Sequence, residues 1–410
     1  MSHLTTTTTC DLLATALRPR GAGRRLRRGF SSLFAIMFIM ICIVTLMLVV
    51  NWTYLVLVSR HTLRLSDSLS LTAVKALLDE QVLSDTQAFP GTQTDDITQA
   101  QAEITTAGTG FLARNNAAAG ANLRPAANQL TITAARIDNA AAAVAAPSNY
   151  TTTPAAGQPY NTLVVEILRA PNSMNPVELI FRGQGSDQTA KITSASYATL
   201  DSRVVGFRPL TATRSPVAPL ALNAAAWFTT RVTNADDSQL PDGRLELDFT
   251  LLTSGGLGTA NSALISLNNL SALSTGAVAN QVTNGIGPAD VNNVTGTLGP
   301  LTNAAPLLFD STQMSPAGDL TNIAAAFNGV AASTNPRRAF PIYNGAFTDP
   351  SSIVGFIGAR VLNADAAGGR LRVRLQPDFV IHSTVETQRT FPGATSVPEN
   401  LYIHKIRLTR

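Results

Sequence analysis

The stretch LFAIMFIMICIVTLMLVV, residues 33–50, decides the fold of this chain because Thr45 is its only polar residue. It lies within 31 consecutive uncharged residues that run from Gly29 to Ser59. A helix needs about 20 apolar residues to cross the hydrocarbon core of a bilayer, where unpaired backbone groups are costly. A signal peptide, the alternative, has an apolar stretch of only about 7–15 residues followed by a cleavage site. The sequence therefore predicts an uncleaved transmembrane helix over residues 30–59.

The residues on either side of the span predict its orientation. Residues 1–29 hold six arginines and one aspartate. Four of these arginines stand close to the span: Arg24, Arg25, Arg27 and Arg28. Basic residues near a span stay on the cytoplasmic side, so this tail is expected in the cytoplasm and the body beyond residue 60 outside it. Trp52 and Tyr54 lie near the outer end, where amphipathic rings favour the membrane interface. We expect a single-pass protein of the cytoplasmic membrane, with the lipid bilayer as its first partner.

The formal net charge of +4 comes from the tail. Without the six basic residues and one acidic residue of the tail, the 30 basic and 26 acidic residues of the chain leave 24 and 25 for residues 30–410. A neutral body lacks the positive surface that binds phosphate backbones, so no nucleic-acid partner is expected.

The residues that usually carry catalysis or bind metals are scarce. The two cysteines are Cys10 and Cys42, so nothing after residue 42 can form an intramolecular disulfide or a thiolate metal site. No HExxH, CxxC, GxSxG or phosphate-loop motif occurs. His382 and His404 lie in strand-like stretches without a candidate nucleophile beside them. We expect no catalytic residue, no cofactor and no enzyme activity.

One polar segment deserves a test as a calcium loop. Its oxygen-bearing side chains are those of Asn234, Asp236, Ser238 and Asp242. The spacing does not follow an EF-hand, and no bidentate glutamate stands at the required place. A solvated turn is the favoured interpretation, and no metal site is predicted.

Residues 60–160 are predicted to begin as a helical stalk that continues the membrane helix. Leu55 to Leu83 contain no proline or glycine. After Ser66, four apolar residues fall on one helix face and form a possible helix interface: Leu71, Val74, Leu78 and Val82. A second helix is predicted from Asp95 to about Ala107. The region that follows is rich in Ala, Asn and Thr and fits either helix or loop.

From residue 161 the pattern changes to strands. Residues 161–222 and 223–410 are predicted as two β-rich units, and the second contains a long Gly/Asn-rich loop region over 254–335. The clearest strand signals are seven apolar or alternating stretches. They are Thr162–Leu168 with a returning strand at Val177–Phe181, Leu245–Leu251, the hairpin Ile353–Leu362 with Leu371–Leu375, Phe379–Val385 and Leu401–Leu408. The fold class predicted is α+β, with one transmembrane helix, a helical stalk and extracytoplasmic β-rich domains.

The N-terminal segment resembles the TadE/TadG-like proteins of Flp (tight adherence) pilus assembly. The resemblance rests on the entry Arg27-Arg28-Gly29, the apolar span, the polar-aromatic exit Asn51 to Tyr54, Arg60, and the Leu/Ala-rich helix that follows Asp67. It covers about fifty residues closely, and looser similarity to large TadG-type proteins continues through the strand-rich part. The resemblance implies a bacterial Tad-system component whose partners are other pilus-assembly proteins or pilin-like helices, with a role in cell adhesion.

The sequence lacks two features that occur among relatives of that family, and their absence limits the function that the resemblance implies. The fifth residue after Gly29 is Phe34 rather than the glutamate of a processed prepilin, so the span is expected to stay uncut. The Asp-x-Ser-x-Ser motif of von Willebrand A domains is incomplete at Asp236 and at Asp310. A structural or assembly role is therefore the first hypothesis. The alternative is a membrane-anchored extracytoplasmic enzyme or binding module whose site no motif reveals.

Overall fold

The computed structural model describes thirteen stretches of the chain and four single residues. These are 27–78, 129–137, 150–155, 159–171, 176–181, 189–227, 238–242, 244–252 with 261–265, 274–291, 318–345, 353–387 and 399–409, together with 83, 98, 102 and 106. The predicted helix from Asp95 to Ala107 therefore lies almost entirely outside the described residues. Arg24, Arg25 and Val82 also lie outside them.

The chain divides into two compact units. The first comprises Met1–Leu57 and Leu179–Gln188, and the second comprises Val58–Glu178 and Thr189–Arg410. Helix α1, Arg27–Ala73, supplies residues to both units, and a 3-10 turn, Val74–Leu77, follows it. The predicted combination of a long apolar N-terminal helix with a β-rich remainder is confirmed.

In the second unit, a five-stranded sheet has the order β1-β2-β5-β15-β13. Its strands are β1 Leu130–Ala135, β2 Thr162–Arg169, β5 Ile192–Asp201, β13 Val380–Ile381 and β15 Ile403–Leu408. All neighbours are antiparallel except β13 and β15, which are parallel. The last strand of the chain thus lies beside β5, and residues from both sides of position 222 build one sheet.

A six-stranded sheet has the order β8-β12-β11-β10-β7-β9. Its strands are β7 Leu220–Asn223, β8 Leu247–Leu252, β9 Ser262–Leu264, β10 Arg337–Tyr343, β11 Ile353–Ala367 and β12 Arg370–Pro377. The β11–β12 hairpin turns through Gly368 and Gly369, whose positive φ values of 60° and 72° suit a two-residue turn. Two small sheets pair β3 Val177–Glu178 with β4 Thr189–Ala190, and β6 Val204–Phe207 with β14 Val385–Thr387.

Two helices cover part of this second unit. Helix α2, Thr275–Asn284, begins where the Ser274 hydroxyl accepts a hydrogen bond from the Ala277 amide, and it ends at Gly285. Helix α3, Gly318–Ala331, packs on β11 and β12 with Leu320, Ile323 and Phe327 buried. The core they share with the six-stranded sheet includes Trp227, whose ring stacks 5.9 Å from that of Phe249.

Three expectations differ from this architecture. Strand β2 is flanked by β1 and β5, so it has no free edge for the returning strand predicted at Val177–Phe181. Only Val177–Glu178 of that stretch forms a strand, and it pairs with β4. The region 254–335, predicted as long loops, contains β9, α2 and α3. The predicted boundary near residue 222 does not separate compact units, because a single apolar cluster joins Val204 and Phe207 to Phe340 and Val385.

Candidate functional site

The candidate site begins with the apolar half of α1. From residue 33 to 49, almost every large apolar side chain is exposed, with fractions between 39% for Met47 and 67% for Phe34. One helix in the described part of the chain is long and apolar enough to cross a membrane, and it is this one. Trp52 follows it with 70% of its surface exposed, whereas Tyr54 is partly covered. Arg27 and Arg28 stand at its first turn.

In the second half of the helix, the apolar side chains are buried rather than exposed. Within the second unit, Leu65, Leu69, Val74 and Leu77 are each no more than 2% exposed. They pack against side chains of β2 and β5, namely Leu163, Val165, Ile167, Ala198 and Leu200. Fully burying a leucine or valine contributes about 1.5–3 kcal/mol, so this contact is a substantial part of the core. No separate stalk is seen among the described residues, because residues 58–77 pack on a sheet.

Small polar residues bring this helix close to β5. The Ser66 and Ser194 hydroxyls are 3.2 Å apart, and the Ser70 and Ser196 hydroxyls are 2.9 Å apart, with all four residues buried. The Ser196 hydroxyl also donates to the Asp67 carboxylate at 2.8 Å. These hydroxyls satisfy one another away from water, which removes the cost of burying them. The sequence analysis missed them, although serines four apart on a helix opposite serines two apart on a strand are a usable signal.

The structure describes three of the four residues of the predicted helix interface. Val74 is buried, and Leu71 and Leu78 are half-buried and pack against the apolar cluster with β2 and β5. Val82 lies outside the described residues. Leu65, Leu69 and Leu77, outside the predicted set, are also buried, and the change from α-helix to a 3-10 turn at Val74 rotates the side chains that follow. A contact between this interface and another protein stays a prediction.

A groove of about 510 Å³ lies next to the end of this helix in the second unit. Its charged lining consists of Lys75, Arg244, Arg337 and Asp378, with His382 at the same surface. The Arg337 guanidinium donates to the buried Asp378 carboxylate at 2.8 Å. With Lys75, Arg244 and Arg337 against Asp378, the lining has a positive balance that suits an anionic ligand, but none of the lining side chains forms a nucleophile–base pair. Sequence reasoning missed the groove because its lining comes from four distant segments.

His382 and His404 are both held by local contacts. The imidazole Nδ1 of His382 lies 2.8 Å from the Thr384 hydroxyl, and burial lowers the pKa of His382. His404 is more deeply buried: its Nε2 lies 3.3 Å from the Leu401 carbonyl oxygen, and its ring meets that of Phe379 edge-on at 5.7 Å. Burial lowers the pKa of His404 to about 4, so this ring is neutral at pH 7.

The structure describes two of the side chains considered as calcium ligands, and both form hydrogen bonds with other side chains. Asp242 accepts from the Gln376 amide at 2.8 Å, and the Ser238 hydroxyl accepts from the Arg374 guanidinium at 3.0 Å. Asn234 and Asp236 lie outside the described residues. Among the residues that are described, no three His, Cys, Asp or Glu side chains come close enough to share a metal ion.

Comparison with known proteins gives no match: no family model, no curated protein and no solved structure is similar to the chain. The case for function therefore rests on the helix, the groove and the residues of the N-terminal segment.

The burial of His404 predicts a pH-dependent stability. In the unfolded chain its pKa returns to 6.5, so between about pH 6.5 and 4 the unfolded chain binds a proton that the folded chain excludes. The free energy of unfolding should therefore fall as the pH decreases through this window, by about 3 kcal/mol in total. Urea unfolding of the detergent-solubilised protein, measured from pH 4 to 7.5, checks this.

The matched variant is His404→Gln, which keeps a polar side chain and removes the titration. Carboxylates titrate equally in both proteins, so the difference between the two curves isolates His404. Parallel pH curves for the two proteins would show that His404 is protonated as readily in the folded chain as in the unfolded one.

Proposed function

We propose that this protein is a membrane-anchored, TadG-like component of a bacterial Tad/Flp pilus assembly system, with a structural or assembly role rather than a catalytic one. The observation that carries the proposal is the N-terminal helix, whose exposed apolar half follows an arginine-rich tail and precedes an aromatic exit. That order of features is what the segment shares with TadE/TadG-like proteins.

The proposed location is the cytoplasmic membrane, with one span, the tail in the cytoplasm and the body outside. The exposed side chains of residues 33–49 are as apolar as lipid tails, so lipid or other membrane helices can cover them. In a Tad system, the helices that meet this surface would be those of pilin-like or other assembly proteins. The role in adhesion follows from that assembly and needs no ligand on the body.

A binding module is the second candidate, and the groove favours it. The groove falls within the usual size range of ligand pockets and carries more positive than negative side chains. In that case Lys75 and Arg244 would bind an anionic group outside the membrane, and the helix would serve only as an anchor.

Orientation is tested with the native Cys10 as a probe. In a Cys42→Ala background, a membrane-impermeant maleimide added to spheroplasts should leave Cys10 unlabelled until the cells are lysed. A second chain, Cys10→Ser with Cys42→Ala and Thr72→Cys, places the thiol on an exposed helix position and should be labelled at once. Immediate labelling of Cys10 with protection of residue 72 would show that the orientation is reversed.

The assembly role is tested by surface attachment of a strain that lacks the gene. Attachment and surface pili should be lost and should return with the wild-type chain and with His382→Ala, which truncates a side chain that lines the groove. Leu78→Asp should fail to restore them, since a charge among the apolar side chains packed at Leu78 costs several kcal/mol. Thr72→Asp, at an exposed position of α1 six residues before Leu78, is the matched control and should restore attachment.

All variants are compared at equal membrane abundance. Full attachment by the strain that lacks the gene would reject the pilus role. Loss of attachment with His382→Ala at normal abundance would favour the binding module instead.

A further inference from the structure

One polar side chain at the end of the apolar run makes an unusual contact in the first unit. The side chain of Asn51 pairs with both backbone groups of Phe181, although 130 residues separate them in the sequence. Its amide nitrogen donates to the Phe181 carbonyl oxygen at 3.0 Å, and its carbonyl oxygen accepts from the Phe181 amide at 3.0 Å. A single side chain thereby satisfies a donor and an acceptor of a distant backbone segment.

The contact lies at a definite position along the helix, directly after the apolar stretch. The apolar stretch of residues 33–50 spans about 27 Å at 1.5 Å per residue, close to the thickness of a hydrocarbon core. Asn51 is the next residue, so it lies where that core would end. An amide side chain there would leave its polar groups in a poorly hydrated zone unless they found partners, and the Phe181 backbone supplies them.

The segment held there presents apolar side chains outward. Ile180 is 52% exposed and Phe181 is 39% exposed, and the neighbouring Trp52 on the helix is 70% exposed. Exposed large apolar residues beside a membrane span are costly in water and favourable at the boundary between headgroups and acyl chains. Aromatic rings concentrate at that depth.

We propose that Ile180 and Phe181 form a second membrane contact, an interfacial segment that inserts into the bilayer boundary at the carboxyl end of the span and is held there by Asn51. The proposed occupant of this apolar surface is lipid, because Asn51, which holds the segment, directly follows the apolar stretch of the span. The proposal rests on the proposed membrane anchor.

The test uses nitroxide labels on the full chain in nanodiscs of phosphatidylcholine and phosphatidylglycerol. The label is placed at Ile180→Cys in a Cys10→Ser, Cys42→Ala background. Its collision rates with dissolved oxygen and with a water-soluble nickel complex report its depth. The references are a label on the native Cys42, inside the span, and a label at Leu210→Cys, an exposed apolar residue of the second unit. We expect the oxygen-to-nickel ratio at residue 180 to lie between those two references.

Two variants test the role of Asn51. Asn51→Ala removes both hydrogen bonds and should shift the ratio at residue 180 toward that at residue 210. Thr53→Ala removes only a hydroxyl bond to Val49 on the same helix and should leave the ratio unchanged. An unchanged ratio in Asn51→Ala would overturn the proposed role of Asn51.

Three results overturn the proposal or its basis, and they are distinguishable. A ratio at residue 180 equal to that at residue 210, with the Cys42 label in the hydrocarbon, rejects the interfacial segment and leaves the anchor standing. A nickel-accessible label at Cys42 rejects the anchor itself. Dipolar broadening at residue 180 that disappears on dilution with unlabelled chain shows that a second copy, rather than lipid, covers the segment.

Discussion

The packing of one helix against one sheet is the contact on which the rest of the second unit depends. Leu65 and Leu69 of α1, with Leu77 of the 3-10 turn that follows it, cover the apolar side of β2 and β5. The serine pairs let the helix backbone approach the strands. Without it, a row of large side chains on the middle strands of the five-stranded sheet would face water. Because residues 65–77 are part of this core, the end of α1 and the strands of the second unit fold together.

The C-terminal strand reinforces the same sheet. Strand β15 lies beside β5, and Arg407 contacts the nearly buried Asp201 at 3.2 Å, which fixes the last residues of the chain to its middle. Glu246 and Arg374 form a comparable ion pair at 2.7 Å beside the six-stranded sheet. Breaking a buried pair leaves an uncompensated charge, so such contacts specify which strands lie together more than they raise stability.

The sequence predicted the elements that carry a strong period or a clear turn. Strands β2 and β8 and the β11–β12 hairpin were visible because their apolar residues run together or alternate and glycines mark the turn. Helix α3 was missed although Leu320, Ile323 and Phe327 follow a helical spacing, because the region around it is rich in Gly, Asn, Ser and Thr, which are typical of loops. The long apolar helix could be predicted from composition alone, whereas the groove could not, since tertiary folding brings its residues together. The Asn51–Phe181 contact has no sequence signal either, because tertiary folding brings the two residues together.

Amide hydrogen exchange of the full chain in nanodiscs tests the central claim most directly. If residues 65–77 belong to the core of the β-rich body, their amides should exchange as slowly as those of β2 and β5 and should lose protection together with them in increasing urea. If those residues form an independent helix, they should exchange much faster than the strands and lose protection at lower urea, which would contradict the account.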